Sequence, residues 1–176
     1  MAYLITSESF LKNQTPVCDN VAGKYILSAL RDAQEIHIKR VIGSALLERL
    51  KALCQSKQID KETAYKELLE KCQLAIAFHA VAELTRITTY KITNKGVVTT
   101  SDERVDVASE EVVISTQDYY RTKASSYVYE LQLYLLENAS KFPELSDRSC
   151  DSIHANLKSA ASCGLWLGGV RSKKVW

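Results

Sequence analysis

The sequence predicts a mainly α protein: a helical bundle of four to five helices with a protruding β-hairpin or extended loop and a C-terminal arm. Apolar residues recur at three- to five-residue spacing along much of the chain, as on the buried face of a helix. Residues 74–84 are almost entirely apolar, which predicts a central helix surrounded by the others. Residues 87–100 are rich in β-branched and aromatic side chains on either side of a turn sequence, which predicts the hairpin.

Composition excludes several classes of protein. The chain has 176 residues, 46% of them hydrophobic, enough for one well-filled core. Its net charge of +2 is spread over interleaved acidic and basic residues, so we do not expect a general nucleic-acid binder. Five scattered cysteines without a C-x-x-C pair argue against a disulfide framework and a zinc knuckle. No signal-peptide pattern or spanning apolar stretch is present, so we expect a protein that is neither secreted nor membrane-embedded.

The N-terminal part is predicted to form two helices. Ser7 is a typical N-cap for a short helix that Pro16 ends. Asp19 or Asn20 is expected to cap a longer helix that reaches about Ile42. Its predicted buried stripe comprises Ala22, Ile26, Leu30, Ala33, Ile36 and Val41.

Two further helices follow. Gly43 and Ser44 read as a helix stop and a new cap. The helix after them is expected to bury Leu46, Leu47, Leu50 and Leu53 and to leave Glu48, Arg49 and Lys51 in water. After a polar loop, Asp60 is predicted to cap the helix that becomes the central one.

The hairpin and the last helix complete the body. Ile87–Tyr90 and Val97–Thr100 are the predicted strands, with the turn at Thr93–Gly96. The last helix is expected to start near Ser115, with Ser109 as the other candidate. Its stripe of Tyr120, Ala124, Tyr127, Val128, Leu131, Tyr134 and Leu135 should pack on the central helix.

The predicted organisation is therefore a helical body over residues 1–143, with the hairpin or loop near 87–108, and an extended arm over residues 144–176. A stop at 138–143 ends the last helix. The remainder is rich in Ser, Asp and Gly.

The sequence carries no convincing catalytic motif, so we expect no enzyme and no cofactor. Phosphate loops, nucleophile elbows and zinc helices are absent, and Ser9 with Lys12 matches S-x-x-K without its companion motifs. His79 and Glu83 share one helix face at a spacing that can hold a metal or a proton. Because no second ligand-bearing helix is evident, a hydrogen-bonded structural pair is the favoured interpretation.

Tyrosine is concentrated on the last helix: five of the nine tyrosines lie there, and they face more than one side of the helix. The faces of the helix that hold Tyr119 and Tyr129 are therefore candidate subunit interfaces. The basic segment Arg171–Lys174 lies beside two tryptophans in the sequence. It suits contact with nucleic acid, but a solvated or partner-bound tail is the preferred interpretation. The full predicted interface comprises Tyr90, Ile92, Asn94, Lys95, Gly96, Val97, Tyr119, Tyr129, Trp166, Leu167 and Trp176.

Several segments, in this order, resemble those of head-tail connector (adaptor, neck ring) proteins of tailed bacteriophages, in particular crAss-like and other Bacteroides-infecting phages. The resemblance covers roughly residues 20–140. It is carried by Asp32–Glu35 running into Ile38–Gly43, Ala75–Ala82, Lys91–Val98, Ala108–Glu111 and Tyr119–Tyr134, of which Lys91–Val98 is the most specific.

The resemblance implies a structural subunit, usually present in about twelve copies in a ring beneath the portal protein. Genomic DNA would pass through the ring without specific binding, and a second neck ring or tail protein would contact it. Such a subunit resides in the virion neck and is assembled in the bacterial cytoplasm, with no membrane partner. The long tail after about Ser146 departs from the shortest connectors, which leaves open direct portal contact or a second ring.

A small helical DNA-binding or regulatory protein is the alternative, suggested by the helix–turn–helix-like step around Gly43.

Overall fold

The computed structural model describes residues 3–94, 96–99, 108–146 and 153–157, and it confirms a mainly α bundle with a small antiparallel hairpin. The helices are α1 (Glu8–Gln14), α2 (Gly23–Asp32), a π-helical segment (Ala33–Ile38), α3 (Lys39–Ile42), α4 (Ser44–Gln55), α5 (Thr63–Thr89) and α6 (Glu110–Glu137). The hairpin consists of β1 (Tyr90–Thr93) and β2 (Gly96–Thr99). Short 3-10 turns lie at Ile59–Lys61, Ala139–Lys141 and Pro143–Ser146.

Helix α5 is the centre of the bundle, as its apolar sequence predicts. Its buried side chains include Cys72, Ala75, Ile76, Ala77, Phe78, Ala80, Val81, Ala82 and Leu84. Helix α6 runs antiparallel beside it: the ring of Phe78 stacks on Tyr127, and the hydroxyl of Tyr134 donates to the carbonyl of Ala64. The predicted packing of the last helix on the central one is therefore confirmed.

A π-helical segment interrupts the rod formed by α2 and α3. The backbone N–H of Lys39 donates to the carbonyl of Gln34, five residues back instead of four. The wider turn shifts the buried face by one position, so Ile38 is fully buried. Ile36, predicted to lie in the buried stripe, is instead 47% exposed.

The π-helical segment also brings a fully buried amide into the core. The side-chain oxygen of Gln34 accepts from the backbone N–H of Ile5 at 3.0 Å, and its nitrogen donates to the carbonyl of Tyr3 at 3.0 Å. These two bonds fasten the N-terminal segment to the helical rod. Buried backbone groups need such partners because water cannot reach them.

Ser7 caps α1 as expected by accepting from the N–H of Phe10, whereas the caps predicted at Asp19 or Asn20 and at Asp60 are wrong. Helix α2 begins at Gly23, after a turn that contains Asp19 and Asn20. Helix α5 begins at Thr63, because the carboxylate of Asp60 pairs with Lys66 at 2.8 Å instead of capping the helix.

Helix α6 starts earlier than the favoured site at Ser115. The hydroxyl of Ser109 accepts from the N–H of Val112 and makes Ser109 the N-cap. The hydroxyl of Ser115 donates to the carbonyl of Val112, a bond made inside the helix.

Lys51 was expected in water, yet it is 8% exposed. Its ammonium lies 3.1 Å from the carboxylate of Glu35 and 2.9 Å from that of Glu48. Burial alone would lower the pKa of Lys51, but the two hydrogen-bonded carboxylates outweigh it and raise the pKa. The four leucines of α4 are buried as predicted.

The described part of the predicted arm lies against the helical body. The hydroxyl of Tyr65 donates to the carboxylate of Glu144 at 2.9 Å, beside the fully buried Phe142. Residues 153–157 cross the turn between α3 and α4, where the N–H of Ser44 donates to the carbonyl of Ile153 at 2.8 Å. Residues 144–146 and 153–157 therefore contact their own chain.

We expect Gln34→Leu to lower the free energy of unfolding by about 1–3 kcal/mol, because the N–H of Ile5 and the carbonyl of Tyr3 lose their buried partner. Urea denaturation measures the change. Gln14→Leu, at an exposed position, should change stability by less than about 0.5 kcal/mol. Equal stability of the two variants would contradict the role of the buried amide.

We expect Gly43→Ala to lower the free energy of unfolding by about 1–3 kcal/mol. Gly43 has φ +86°, and an added Cβ would lie 3.0 Å from the backbone nitrogen of Ala155. Gly96→Ala is the matched control, since Gly96 has φ +110° but nothing within 4 Å of a Cβ. If the two substitutions are equally harmful in denaturant melts, residues 153–155 do not hold this turn.

Candidate interaction surfaces

The hairpin extends directly from the end of α5. Its register pairs Tyr90 with Thr99 and Thr93 with Gly96. Every residue of β2 is exposed, with Val97 at 68% and Val98 at 40%. Within the described ranges, β2 pairs only with β1, so its outer edge is open.

The first predicted strand starts too early, because α5 continues through Thr89. The hydroxyls of Thr88 and Thr89 donate to the carbonyls of Leu84 and Thr85, which keeps these β-branched residues helical. Of the predicted hairpin interface, Asn94, Gly96 and Val97 are exposed and Tyr90 is partly buried. Lys95 and the side chain of Ile92 lie outside the described residues.

A second apolar surface lies on the first turns of α6. Val112, Ile114 and Tyr119 are 51%, 43% and 60% exposed. Val112 and Tyr119 stand two turns apart and so share a face. Because α6 is antiparallel to α5, these turns lie at the end of the bundle from which the hairpin leaves. Ile114, two residues from Val112, points to another side of the helix. We call Val112 and Tyr119 the α6 patch.

Tyr129 lies apart from Tyr119, in a groove between the π-helical segment, α3, α5 and α6. The groove has a volume of about 450 Å³ and is lined by Ile36, His37, Arg40, His79, Tyr129 and Gln132, among others. The two tyrosines, whose faces are predicted to be candidate interfaces, therefore lie on separate surfaces of α6. Trp166, Leu167 and Trp176, the remaining predicted interface residues, lie outside the described part of the chain.

Two histidines stack at the wall of this groove. The rings of His37 and His79 are 4.0 Å apart and within 5° of parallel. His79 was expected to pair with Glu83, but the carboxylate of Glu83 lies 3.9 Å from the guanidinium of Arg121 instead. Sequence reasoning missed His37 because the one-residue shift made by the π-helical segment turns it toward α5.

Burial controls the protonation of the stacked pair. Burial, together with the neighbouring His37 and Arg121, lowers the pKa of His79 to about 4. Burial also lowers the pKa of His37, although the Glu83 carboxylate opposes that change. Both rings are therefore neutral near pH 7. Among the described residues, no three side chains of metal-ligating type come together.

The helix–turn–helix-like step around Gly43 is covered by its own chain. Residues 153–155 cross the turn, and the first N–H of α4 donates to Ile153. A recognition helix reads DNA with its N-terminal residues. The covered turn gives the DNA-binding alternative no structural support.

We expect His79 to make the protein less stable in mild acid. Its pKa is about 4 when folded, below its ordinary 6.5, so the unfolded chain takes up the proton first as the pH falls. Between pH 7 and pH 5 this lowers the free energy of unfolding by about 2 kcal/mol. Denaturant melts at the two pH values measure the loss.

His79→Phe keeps an aromatic ring against His37 and should lose less stability over this pH range than the parent. His154→Phe, at an exposed position, should behave as the parent does. An unchanged pH dependence in His79→Phe would show that the stacked pair does not titrate in this way.

Comparison with known proteins places the chain in a family without assigning a role. No curated protein and no solved structure matches it. No helix of the described residues is apolar over a length that could cross a membrane. Residues 38–152, which span α3 to α6 and the hairpin, match a family profile over more than half of the chain. The chain therefore belongs to DUF6712, a family of unknown function.

Proposed function

We propose that this protein is a structural subunit of the head-tail connector ring of a tailed bacteriophage, where it joins the portal vertex to the tail and lines the DNA passage. The observation that carries the proposal is the exposed hairpin at the end of α5. A two-stranded hairpin is marginally stable by itself in water. Val97 and Val98 face solvent in the single chain, so a neighbour is needed to cover them.

The hairpin and the α6 patch are different surfaces at one end of the bundle. A ring requires such a heterologous contact, in which one patch of each copy meets another patch of the next. We propose that the hairpin of one copy packs on the α6 patch of its neighbour. Tyr119 suits this contact because its ring is apolar and its hydroxyl can still donate a hydrogen bond.

The residues that resemble phage connectors support the same proposal. Lys91–Val98, the most specific segment, is the hairpin itself, and Tyr119–Tyr134 belongs to α6. Both lie within the part of the chain that matches the family.

The partners proposed for the ring are further copies of this chain, about twelve in all, the portal protein, and a second neck ring or tail protein. Its location would be the virion neck, after assembly in the host cytoplasm. The balanced charge of +2 suits a channel through which DNA slides without being held, because tight phosphate contacts would retain it.

Cryo-electron microscopy of virions of the phage that encodes this chain tests the proposal directly. We expect a ring of density at the neck that accommodates α5, α6 and the hairpin in each copy. Absence of the chain from the neck would overturn the assignment. Failure of the isolated chain to form rings would not, since a weak ring contact can need the portal as a template.

We expect the double variant Val97→Asp and Val98→Asp to remain folded but to be lost from virions. The charges would oppose coverage of β2, while both positions are already solvated in the single chain. Complementation followed by mass spectrometry of purified particles measures incorporation, and circular dichroism checks folding. Leu27→Asp, at an exposed position on α2, is the matched control and should be incorporated normally. Equal incorporation of both variants would exclude the hairpin from the ring contact.

A further inference from the structure

The groove beside the stacked histidines is bounded by residues that also hold the last described segment of the chain. The backbone N–H of Asn156 donates to the carbonyl of Val41 at 3.0 Å and also approaches that of Arg40 at 3.2 Å. The side-chain nitrogen of Gln132 donates to the carbonyl of Asn156 at 2.8 Å. Since Arg40, Val41 and Gln132 all line the groove, the chain reaches its rim at residue 156.

The chain remains against the body at this point. Leu157 is partly buried and packs against the hydrophobic core. The residues that follow, Lys158–Gly164, are mostly small, and after them comes the apolar run Leu165–Trp166–Leu167. When extended, residues 158–164 can span roughly 25 Å. The groove wall between Ser125 and Gln132 is about 10 Å long, so the apolar run can reach any part of it.

We propose that this groove is the docking site for the chain's own segment Leu165–Leu167, with the indole of Trp166 as the anchor. The groove is lined by the apolar side chains of Ile36, Val41 and Val128 and also by Ser125, whose hydroxyl oxygen can accept a hydrogen bond. An indole suits such a site because its large ring buries apolar area and its N–H seeks an acceptor. The stacked rings of His37 and His79 add a flat wall.

The neutral state of the two histidines supports this occupant. Protonated rings would repel each other and hold water in the groove, whereas neutral rings accept an apolar neighbour. The charged groups that act on the pair are Glu83, Arg121 and Arg40, and Tyr129 lines the same groove. This inference concerns the isolated chain and does not rest on the connector function.

Fluorescence of the full-length chain tests the proposal. Trp176→Phe leaves Trp166 as the one tryptophan. We expect its emission to be blue-shifted relative to the denatured chain and protected from acrylamide quenching. Emission and quenching equal to those of the denatured chain would overturn the proposal.

Groove variants in the same background show where Trp166 lies. Ile36→Glu places a charge at the groove, and Ser125→Arg fills part of it. Each should shift the emission toward that of the denatured chain and raise quenching several-fold. Leu27→Glu, similarly exposed on the same helical rod, is the matched control and should change neither. Circular dichroism verifies that all variants are folded, and shielding unaffected by either groove variant would overturn the proposal.

A photo-reactive benzoylphenylalanine at position 166 shows whether the segment in the groove comes from the same chain or from a neighbouring copy. Light and isotopically heavy chains are mixed before irradiation, and the cross-linked peptides are identified by mass. We expect cross-links within one copy to residues 36–41 or 125–132. Cross-links that join light to heavy chains would assign the groove to a neighbouring copy's segment, and cross-links confined to other regions would leave it to a foreign partner. Either result overturns docking within the chain.

Discussion

The structure depends on the burial of α5 on nearly all sides. From Ala75 to Ala82, seven of the eight side chains are at most 4% exposed, His79 being the exception. A helix that is apolar around its whole circumference is stable only if other elements surround it. The α2–α3 rod covers one side, and α6 runs along the other in the antiparallel sense. Where this coverage ends, near Thr85–Thr89, the chain leaves the bundle as the hairpin.

Helices whose apolar residues follow a local pattern are predictable from the sequence. For this reason the central helix and the helix that packs on it belong to the confirmed part of the fold. The run at 74–84 identifies the central helix, and the stripe from Ala124 to Leu135 identifies its partner, because both patterns fit a helix that must bury one or more faces. The same logic fails at Thr88 and Thr89. Their β propensity is overridden because continuing an existing helix adds a hydrogen bond for each residue at little extra cost.

The parts that the sequence did not reveal depend on contacts between distant residues. Neither the π-helical turn nor the buried ammonium of Lys51 follows from local spacing, since each needs a partner that only the fold supplies: the backbone of Tyr3 and Ile5 for Gln34, and the carboxylate of Glu35 for Lys51. The His37–His79 stack has the same origin. His79 was singled out for a neighbour on its own helix, and its actual partner comes from another helix, turned inward by the π-helical segment.

The uncovered surfaces fall into two groups, according to whether another segment of the same chain can reach them. Residues 153–157 already pack on the turn at Gly43, and the groove at the stacked histidines begins where that segment ends. The same chain can therefore reach this groove and cover it. The hairpin and the α6 patch lie at the far end of α5, and among the described residues no segment of the chain crosses them. Because open strand edges and exposed valines favour association, we propose that a second molecule binds these surfaces. Their placement on two different elements favours a directional contact over a symmetric pair.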